Sequence, residues 1–247
     1  MSVWRDILSD IRFVLERDPA ARNAVEVVLL YPGFHARELH RLANRLWRWH
    51  VPFLPRALSQ VNRILTGIEI HPGATVHGRC FIDHGMGVVI GETAEIGDGC
   101  HLHQSVTLGG TSTLRTKRHP TLCEDVTVGA GAQIIGAVTI GKGARIGAGS
   151  VVVGNVPEYA TVIGVPGHVV SFYDPGNDTI LRLPDPEHDR LEVLEQRVFE
   201  LESQLRDRVD PNPPGTPSTS TPSTAAPTPI ETPVLPQPET SATPPPL

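Results

Sequence analysis

An aliphatic residue recurs at every sixth position through the middle of the chain. The repeat falls into three runs: Ile70, Val76, Ile82; Ile90, Ile96, Leu102, Leu108; and Leu122, Val128, Ile134, Ile140, Ile146, Val152. A small residue often follows directly, and glycine there tolerates the positive φ of a tight corner. A six-residue period with three units per coil predicts a left-handed parallel β-helix of triangular section over residues 68–170, with the aliphatic side chains pointing inward.

The six-residue period is interrupted twice. The step from Ile82 to Ile90 is eight residues long and holds a histidine, an acidic neighbour and glycines. The step from Leu108 to Leu122 is long enough to project a loop from the coil. Because the repeated core has little side-chain diversity, we expect the chemistry at these two interruptions.

His84, in the first interruption, is the candidate general base, because imidazole titrates near neutral pH. Its ring needs an acceptor to fix the tautomer. Glu69 lies about one coil earlier, so stacked coils could pair the two. In the second interruption, Arg118 can bind a carboxylate, and Gly109 and Gly110 can offer backbone N–H groups to an oxyanion. The flat faces of a prism favour packing of three chains, so we expect a site shared between neighbours.

The segments that flank the repeat have different patterns. Residues 1–67 carry apolar side chains at helical spacing. Asp18 is expected to cap the second helix, with Pro19 as its first residue, and Gly67 to end the last one. Residues 171–186 are interpreted as a linker.

Residues 187–208 have apolar positions spaced alternately by three and four, which predicts a coiled-coil helix. These positions are Leu191, Leu194, Val198, Leu201 and Leu205. Residues 209–247, rich in Pro, Thr and Ser, are interpreted as a disordered tail.

Composition narrows the function. A net charge of −6 argues against a general nucleic-acid or anionic-membrane binder. The sequence has no apolar run of membrane-spanning length, and its N-terminus is charged where a secretory signal would be apolar, so a cytoplasmic protein is expected. Cys80, Cys100 and Cys123 form no C-x-x-C pair, so we expect neither a disulfide framework nor a zinc knuckle.

Several motifs closely resemble those of serine O-acetyltransferases. The match covers about residues 15–170. Its motifs are residues 67–74, 83–94, 106–111, 118–120 and 164–167. The Asp-His-Gly-Met-Gly run at 83–87 is the specific part, because generic hexapeptide acyltransferases lack it. The resemblance implies acetyl transfer from acetyl-CoA to the hydroxyl of L-serine, inhibition by cysteine, and neither a metal nor a cofactor beyond the co-substrate.

The resemblance also implies roles for individual residues. His84 would be the general base, paired with Glu69. The residues around serine would be Asp18 and Asp83 at its ammonium, Arg118 and His119 at its carboxylate, and Glu92 lining the pocket. Acetyl-CoA would lie along the coil between subunits, near Gly110, Thr111, Gly129, Ala130 and Ala148.

The chain also departs from the family pattern. Residues 112–117 lack the usual glycines, which lowers the expected flexibility of the loop that closes on CoA. Many members insert a terminal isoleucine into O-acetylserine sulfhydrylase; this chain ends in Leu247, so that complex is not expected. The helical segment is shorter than in long-form members that join two trimers through it. A homotrimer with a coiled-coil stalk is therefore expected, with a dimer of trimers as the alternative.

Three other functions fit parts of the sequence. One is a hexapeptide acyltransferase that accepts homoserine. Another is a non-catalytic hexapeptide scaffold. The third is a γ-class carbonic anhydrase with zinc on three histidines, for which the available residues are His71, His77, His84, His101 and His103.

Overall fold

A computed structural model describes residues 3–183 and 186–209. Four helices lead into a parallel β-helix, and a fifth helix follows it. The helices are α1 Val3–Arg17, α2 Ala24–Leu30, α3 Pro32–Arg48, α4 Leu54–Thr66 and α5 Pro186–Val209. In the described part of the chain, no helix has both the length and the apolar character needed to cross a membrane.

Short strands form the three faces of the β-helix. Face A contains β1 Glu69–Ile70, β4 Val89–Ile90, β7 Thr107–Gly109, β10 Gln133–Ile135 and β13 Val151–Val152. Face B contains β2 Thr75–Val76, β5 Glu95–Ile96, β8 Thr121–Leu122 and β11 Thr139–Ile140. Face C contains β3 Cys80–Ile82, β6 Cys100–Leu102, β9 Thr127–Val128, β12 Arg145–Ile146, β14 Ala160–Ile163, β15 His168–Asp174 and β16 Thr179–Arg182.

The strand register confirms the predicted parallel β-helix. From β1 to β13, successive strands lie on successive faces. Each strand up to β10 pairs in parallel with the strand one coil later, as Ile70 does with Ile90 and Ile90 with Leu108. Of the thirteen aliphatic positions in the repeat, all except Val76 are buried, and Val76 is partly buried against the same core. Each fully buried aliphatic side chain stabilises the fold by about 1.5–3 kcal/mol, so the stack itself maintains the coil.

Two edges of the prism matter for function. We call the turns that lead from face C to face A corner C/A; they are residues 83–88, 103–106, 129–132 and 147–150. We call the turns from face A to face B corner A/B; they include residues 71–74, 91–94 and 110–120. The interruptions of the repeat therefore fall on different edges, with face A between them.

Helices α1, α2 and α3 pack against face C. Phe81, on the outside of β3, is buried with Ile11, Phe13, Val14 and Val27 from α1 and α2. This packing brings the segment between α1 and α2 against the β-helix near the end of β3.

The predicted cap of the second helix is wrong. The helix begins at Ala24, and Asn23 caps it by accepting a hydrogen bond from the Glu26 amide at 3.0 Å. Asp18 accepts hydrogen bonds from the Ala20 amide and from the Tyr31 hydroxyl instead. The predicted end of α4 is confirmed, because Gly67 adopts φ +73° there.

The predicted linker at 171–186 is also wrong over most of its length. β15 pairs antiparallel with β14, and β16 with β15, so the chain extends face C. The segment from His168 to Tyr173 is rich in β-branched and aromatic residues, which favour strands, but it lacks the six-residue period.

The predicted coiled-coil segment forms a helix, α5. Its five seam residues are 44–60 % exposed in the single chain, as expected for an apolar stripe that needs partner helices. The disordered tail predicted for residues 209–247 lies, from residue 210 onward, outside the described residues.

Candidate active site

His84 lies at corner C/A, in the loop that the eight-residue step creates. Its backbone is in the left-handed region at φ +55°, an uncommon conformation for a residue with a side chain. The loop is held by the Gly87 amide, which donates to the Gly67 carbonyl at 2.9 Å. The imidazole is 79 % exposed, with Nε2 3.6 Å from Asp83 Oδ1. The loop thus presents a histidine to solvent beside a carboxylate.

Glu69 does not contact His84 as its spacing suggested. It lies opposite Val89 on the next coil, and its carboxylate forms an ion pair with Arg63 at 3.0 Å. Among the described residues, no hydrogen bond or ion pair joins Glu69 to His84. Glu69 is on β1, which pairs with β4. The eight-residue step places His84 in the turn before β4, so His84 is not opposite Glu69 in the ladder.

Two carboxylates, those of Asp18 and Asp83, act on the imidazole of His101, which lies on β6 next to this corner. Asp18 accepts a hydrogen bond from the Tyr31 hydroxyl at 2.6 Å. This hydrogen bond is the main reason why the pKa of Tyr31 rises to about 12. Asp83 Oδ2 is 4.0 Å from His101 Nε2. Burial, followed by the neighbouring His103, lowers the pKa of His101 to about 4, and Asp83 and Asp18 both oppose that shift. The two proposed ammonium ligands thus belong to one electrostatic cluster.

Corner A/B carries the second group of candidates. The Arg118 guanidinium forms an ion pair with Glu92, and this hydrogen bond is the main cause of a lowered Glu92 pKa. The His119 ring is buried against Gly91. A side chain at position 91 would clash with this ring, because its Cβ would lie 1.9 Å from His119 Cδ2. Burial, followed by Arg118, lowers the pKa of His119, which favours its neutral form.

Thr93 is a positioning residue that the sequence reasoning missed. Its hydroxyl oxygen accepts the backbone N–H groups of Arg118 at 3.0 Å and His119 at 3.1 Å, and lies 2.9 Å from His119 Nδ1. The Thr93 amide donates to the same nitrogen at 3.2 Å. Since Nδ1 is an acceptor, the ring proton lies on Nε2, where it can be donated to a ligand. The available signal was the Gly-Glu-Thr-Ala motif at 91–94.

The second interruption projects from the coil as predicted. Residues 110–117 are exposed, and the chain returns through Lys117, whose ammonium donates to the Thr93 carbonyl at 2.7 Å and to Glu95 at 2.9 Å. Gly110 and Thr111 begin this loop at corner A/B.

The other candidate acetyl-CoA residues lie at corner C/A. Gly129 and Ala148 stack on neighbouring coils so closely that a Cβ at Gly129 would lie 2.6 Å from the Ala148 amide nitrogen. Ala130 belongs to the same turn as Gly129. The acetyl-CoA candidates are therefore divided between the same two edges as the serine candidates.

Face A separates the two groups. Strand residues advance about 3.3 Å each, so the four steps from Val88 to Glu92 correspond to roughly 13 Å. The candidate residues of each chain therefore form two groups, a basic one at Arg118 and an acidic one around Asp83, and we call these groups half-sites.

Comparisons with known proteins agree with this fold. A family model described as bacterial transferase hexapeptide (six repeats) matches residues 119–154. The serine acetyltransferase of Bacillus subtilis (strain 168) is 50 % identical over 208 residues, which cover 83 % of this chain and 96 % of that protein.

Solved structures of serine acetyltransferases are also similar. The Neisseria gonorrhoeae protein in complex with serine has a TM-score of 0.65 at 38 % identity, covering 67 % of this chain and 68 % of that one. The Brucella abortus (strain S19) protein in complex with coenzyme A has a TM-score of 0.66 at 38 % identity, covering 68 % and 67 %. A serine acetyltransferase in complex with cysteine has a TM-score of 0.66 at 40 % identity, covering 68 % and 69 %.

Proposed function

This chain belongs to the serine acetyltransferase family, and we propose that it transfers the acetyl group of acetyl-CoA to L-serine at sites shared between neighbouring chains of a homotrimer. The division of the candidate residues between two edges of face A carries this proposal. A cyclic trimer packed through the flat faces brings corner C/A of one chain to corner A/B of the next. Each interface then joins an acidic half-site to a basic one.

The charges of the two half-sites match the two ends of a zwitterionic amino acid. Asp18 and Asp83 bind the ammonium group from one chain. Arg118 and His119 of the neighbour bind the carboxylate, with the His119 Nε2–H as a donor. Glu92 fixes the guanidinium of Arg118 by the ion pair already present. Serine held at both ends has its hydroxyl between the two edges.

The exposed imidazole of His84 acts as the general base. It takes the proton of the serine hydroxyl while the oxygen attacks the thioester carbonyl, giving a tetrahedral intermediate and an imidazolium. The Gly110 N–H is the candidate donor to the oxyanion. Collapse of the intermediate breaks the C–S bond, and the imidazolium returns its proton to the CoA sulfur. Pairing of His84 with Glu69 in the trimer remains a prediction. It requires Glu69 to break its ion pair with Arg63.

Acetyl-CoA lies along the interface, in contact with Gly110 and Thr111 of one chain and with Gly129, Ala130 and Ala148 of the other. Cysteine carries the same ammonium and carboxylate as serine, and a similar protein has been solved with it. We therefore propose that cysteine competes with serine for the same charged groups. A cytoplasmic location and the lack of a complex with O-acetylserine sulfhydrylase stay predictions.

The direct test is CoA release from acetyl-CoA with serine, with homoserine and without an acceptor. We expect release that depends on serine, and a loss of about 10²–10⁴-fold in turnover for His84→Ala. His77→Gln, at an exposed histidine in the turn between β2 and β3, is the matched control and should keep full turnover. Serine-independent release, or an unimpaired H84A protein, would contradict the proposal. Faster release with homoserine would favour the other acceptor.

A further inference from the structure

The register of face C brings two histidines against the carboxylate of Asp83. His101 pairs with Phe81 across β3 and β6, and the Asp83 amide donates to the Leu102 carbonyl, so Asp83 continues the ladder opposite His103. Alternate residues of a strand point to the same side. His101 and His103 therefore lie side by side on the outer surface, with ring centroids 4.4 Å apart.

The donor atoms of the three side chains converge without satisfying one another. His103 Nδ1 is 3.5 Å and His101 Nε2 is 4.0 Å from Asp83 Oδ2, and the three ligand atoms lie within 4.8 Å of one another. The His101 separation is too long for a hydrogen bond. His101 Nε2 is buried and has no hydrogen-bond partner among the described residues, an arrangement that is costly for a polar atom.

The separations are close to those of ligands that share one metal ion. Zinc–nitrogen and zinc–oxygen bonds of about 2.0–2.2 Å in tetrahedral geometry place ligand atoms about 3.4 Å apart. Small side-chain rotations bring His101 from 4.0 Å to that distance. Two imidazoles and one carboxylate suit zinc and its transition-metal neighbours, whereas calcium and magnesium prefer oxygen ligands throughout.

We propose that Asp83, His101 and His103 form a binding site for a zinc-class divalent cation. Three protein ligands leave a fourth position for solvent. The effect on activity rests on the proposed function, in which Asp83 binds the serine ammonium. A cation on Asp83 cancels that attraction, so the metal acts as an inhibitor that competes with serine.

Metal binding is tested on tag-free protein of full length, freed of chelators, by calorimetric titration with Zn²⁺ and by the visible spectrum after titration with Co²⁺. We expect one ion per chain and the intense d–d bands of a tetrahedral Co²⁺ site. His101→Gln and His103→Gln should each weaken binding at least tenfold. His77→Gln removes an exposed histidine outside the cluster and should bind like the wild type.

Inhibition is tested by following loss of the thioester absorbance, because Zn²⁺ binds the thiolate of released CoA and so disturbs assays that detect the free thiol. The apparent inhibition constant for Zn²⁺ should rise with serine concentration, and should rise at least tenfold in H103Q relative to H77Q. No saturable binding, or equal binding by all the variants, overturns the site even if acetyl transfer is intact. Bound Zn²⁺ that leaves transfer unchanged overturns the competition with serine. Metal binding without acetyl transfer would refute the proposed function and support the site.

Discussion

Replacing Thr93 by valine removes one oxygen and keeps the shape of the side chain. That oxygen accepts the backbone N–H groups of Arg118 and His119 and contacts His119 Nδ1. All three contacts hold the end of the loop that carries the proposed carboxylate ligands of serine. T93V should therefore weaken serine binding although Thr93 itself does not touch serine in the proposed site.

The size of the effect follows from the number of hydrogen bonds. A typical intramolecular hydrogen bond contributes about 0.5–1.5 kcal/mol net, so the three together stabilise the binding conformation by about 1.5–4.5 kcal/mol. When the binding conformation becomes less populated, the apparent affinity falls by the same factor. We expect the lower limit, because the contacts of Lys117 and Glu92 still restrain the loop. It corresponds to about a tenfold rise in the serine KM.

Initial rates against serine concentration at saturating acetyl-CoA measure this effect. Thr93→Ser keeps the hydroxyl and is therefore the matched control. Its serine KM is expected to stay within about threefold of the wild-type value. Circular dichroism and the urea midpoint show whether T93V is folded. A folded T93V protein with an unchanged serine KM would refute the positioning role, and an equal rise in T93S would assign the effect to lost packing.

Three further predictions concern stability and assembly. Leu102→Ala empties a fully buried position and should lower the free energy of unfolding by about 2–5 kcal/mol in urea titration; a loss below about 1 kcal/mol would contradict the stacked core. Burial lowers the pKa of His40 to about 3 and of His101 to about 4. Both stay neutral in the fold while the unfolded chain protonates near pH 6.5, so stability should fall from pH 6.5 to 4 by up to about 1.4 kcal/mol per pH unit each. Asp10, whose pKa burial raises to about 6, opposes this fall below that pH; a higher urea midpoint at pH 5 than at pH 7 would contradict the sign. Removing residues 187–247 should weaken the trimer through loss of the seam of α5, and an unchanged dissociation constant in light scattering on dilution would refute that role.

The sequence predicted those features that depend on local spacing. The inward positions of the repeat follow from burial of one residue in six, so Ile90 and Ile134 are in the core as expected. The projecting loop before Arg118 follows from an insertion that no coil can hold. The placement of His84 in an irregular corner follows from the eight-residue step in the same way.

The features that the sequence did not predict depend on contacts between distant segments. Asp18 follows α1 and its partner Tyr31 follows α2, so the two meet only because α2 packs against α1. The sequence pattern does not show that packing, and Asp18 therefore looked like a helix cap. Glu69 pairs with Arg63 because α4 ends directly before β1. The six-residue repeat does not reveal that Arg63 competes with His84 for this carboxylate. The hydrogen bonds of Thr93 depend on where the loop returns to the coil.

Mixing two inactive variants tests the shared site most directly. His84→Ala damages one half-site and Arg118→Ala the other, so in randomly mixed trimers about one interface in four joins two intact halves. We expect co-refolded H84A and R118A chains, verified as mixed by two affinity tags, to recover about one quarter of the wild-type turnover. A mixture no more active than its separate components, in verified mixed trimers, would contradict it.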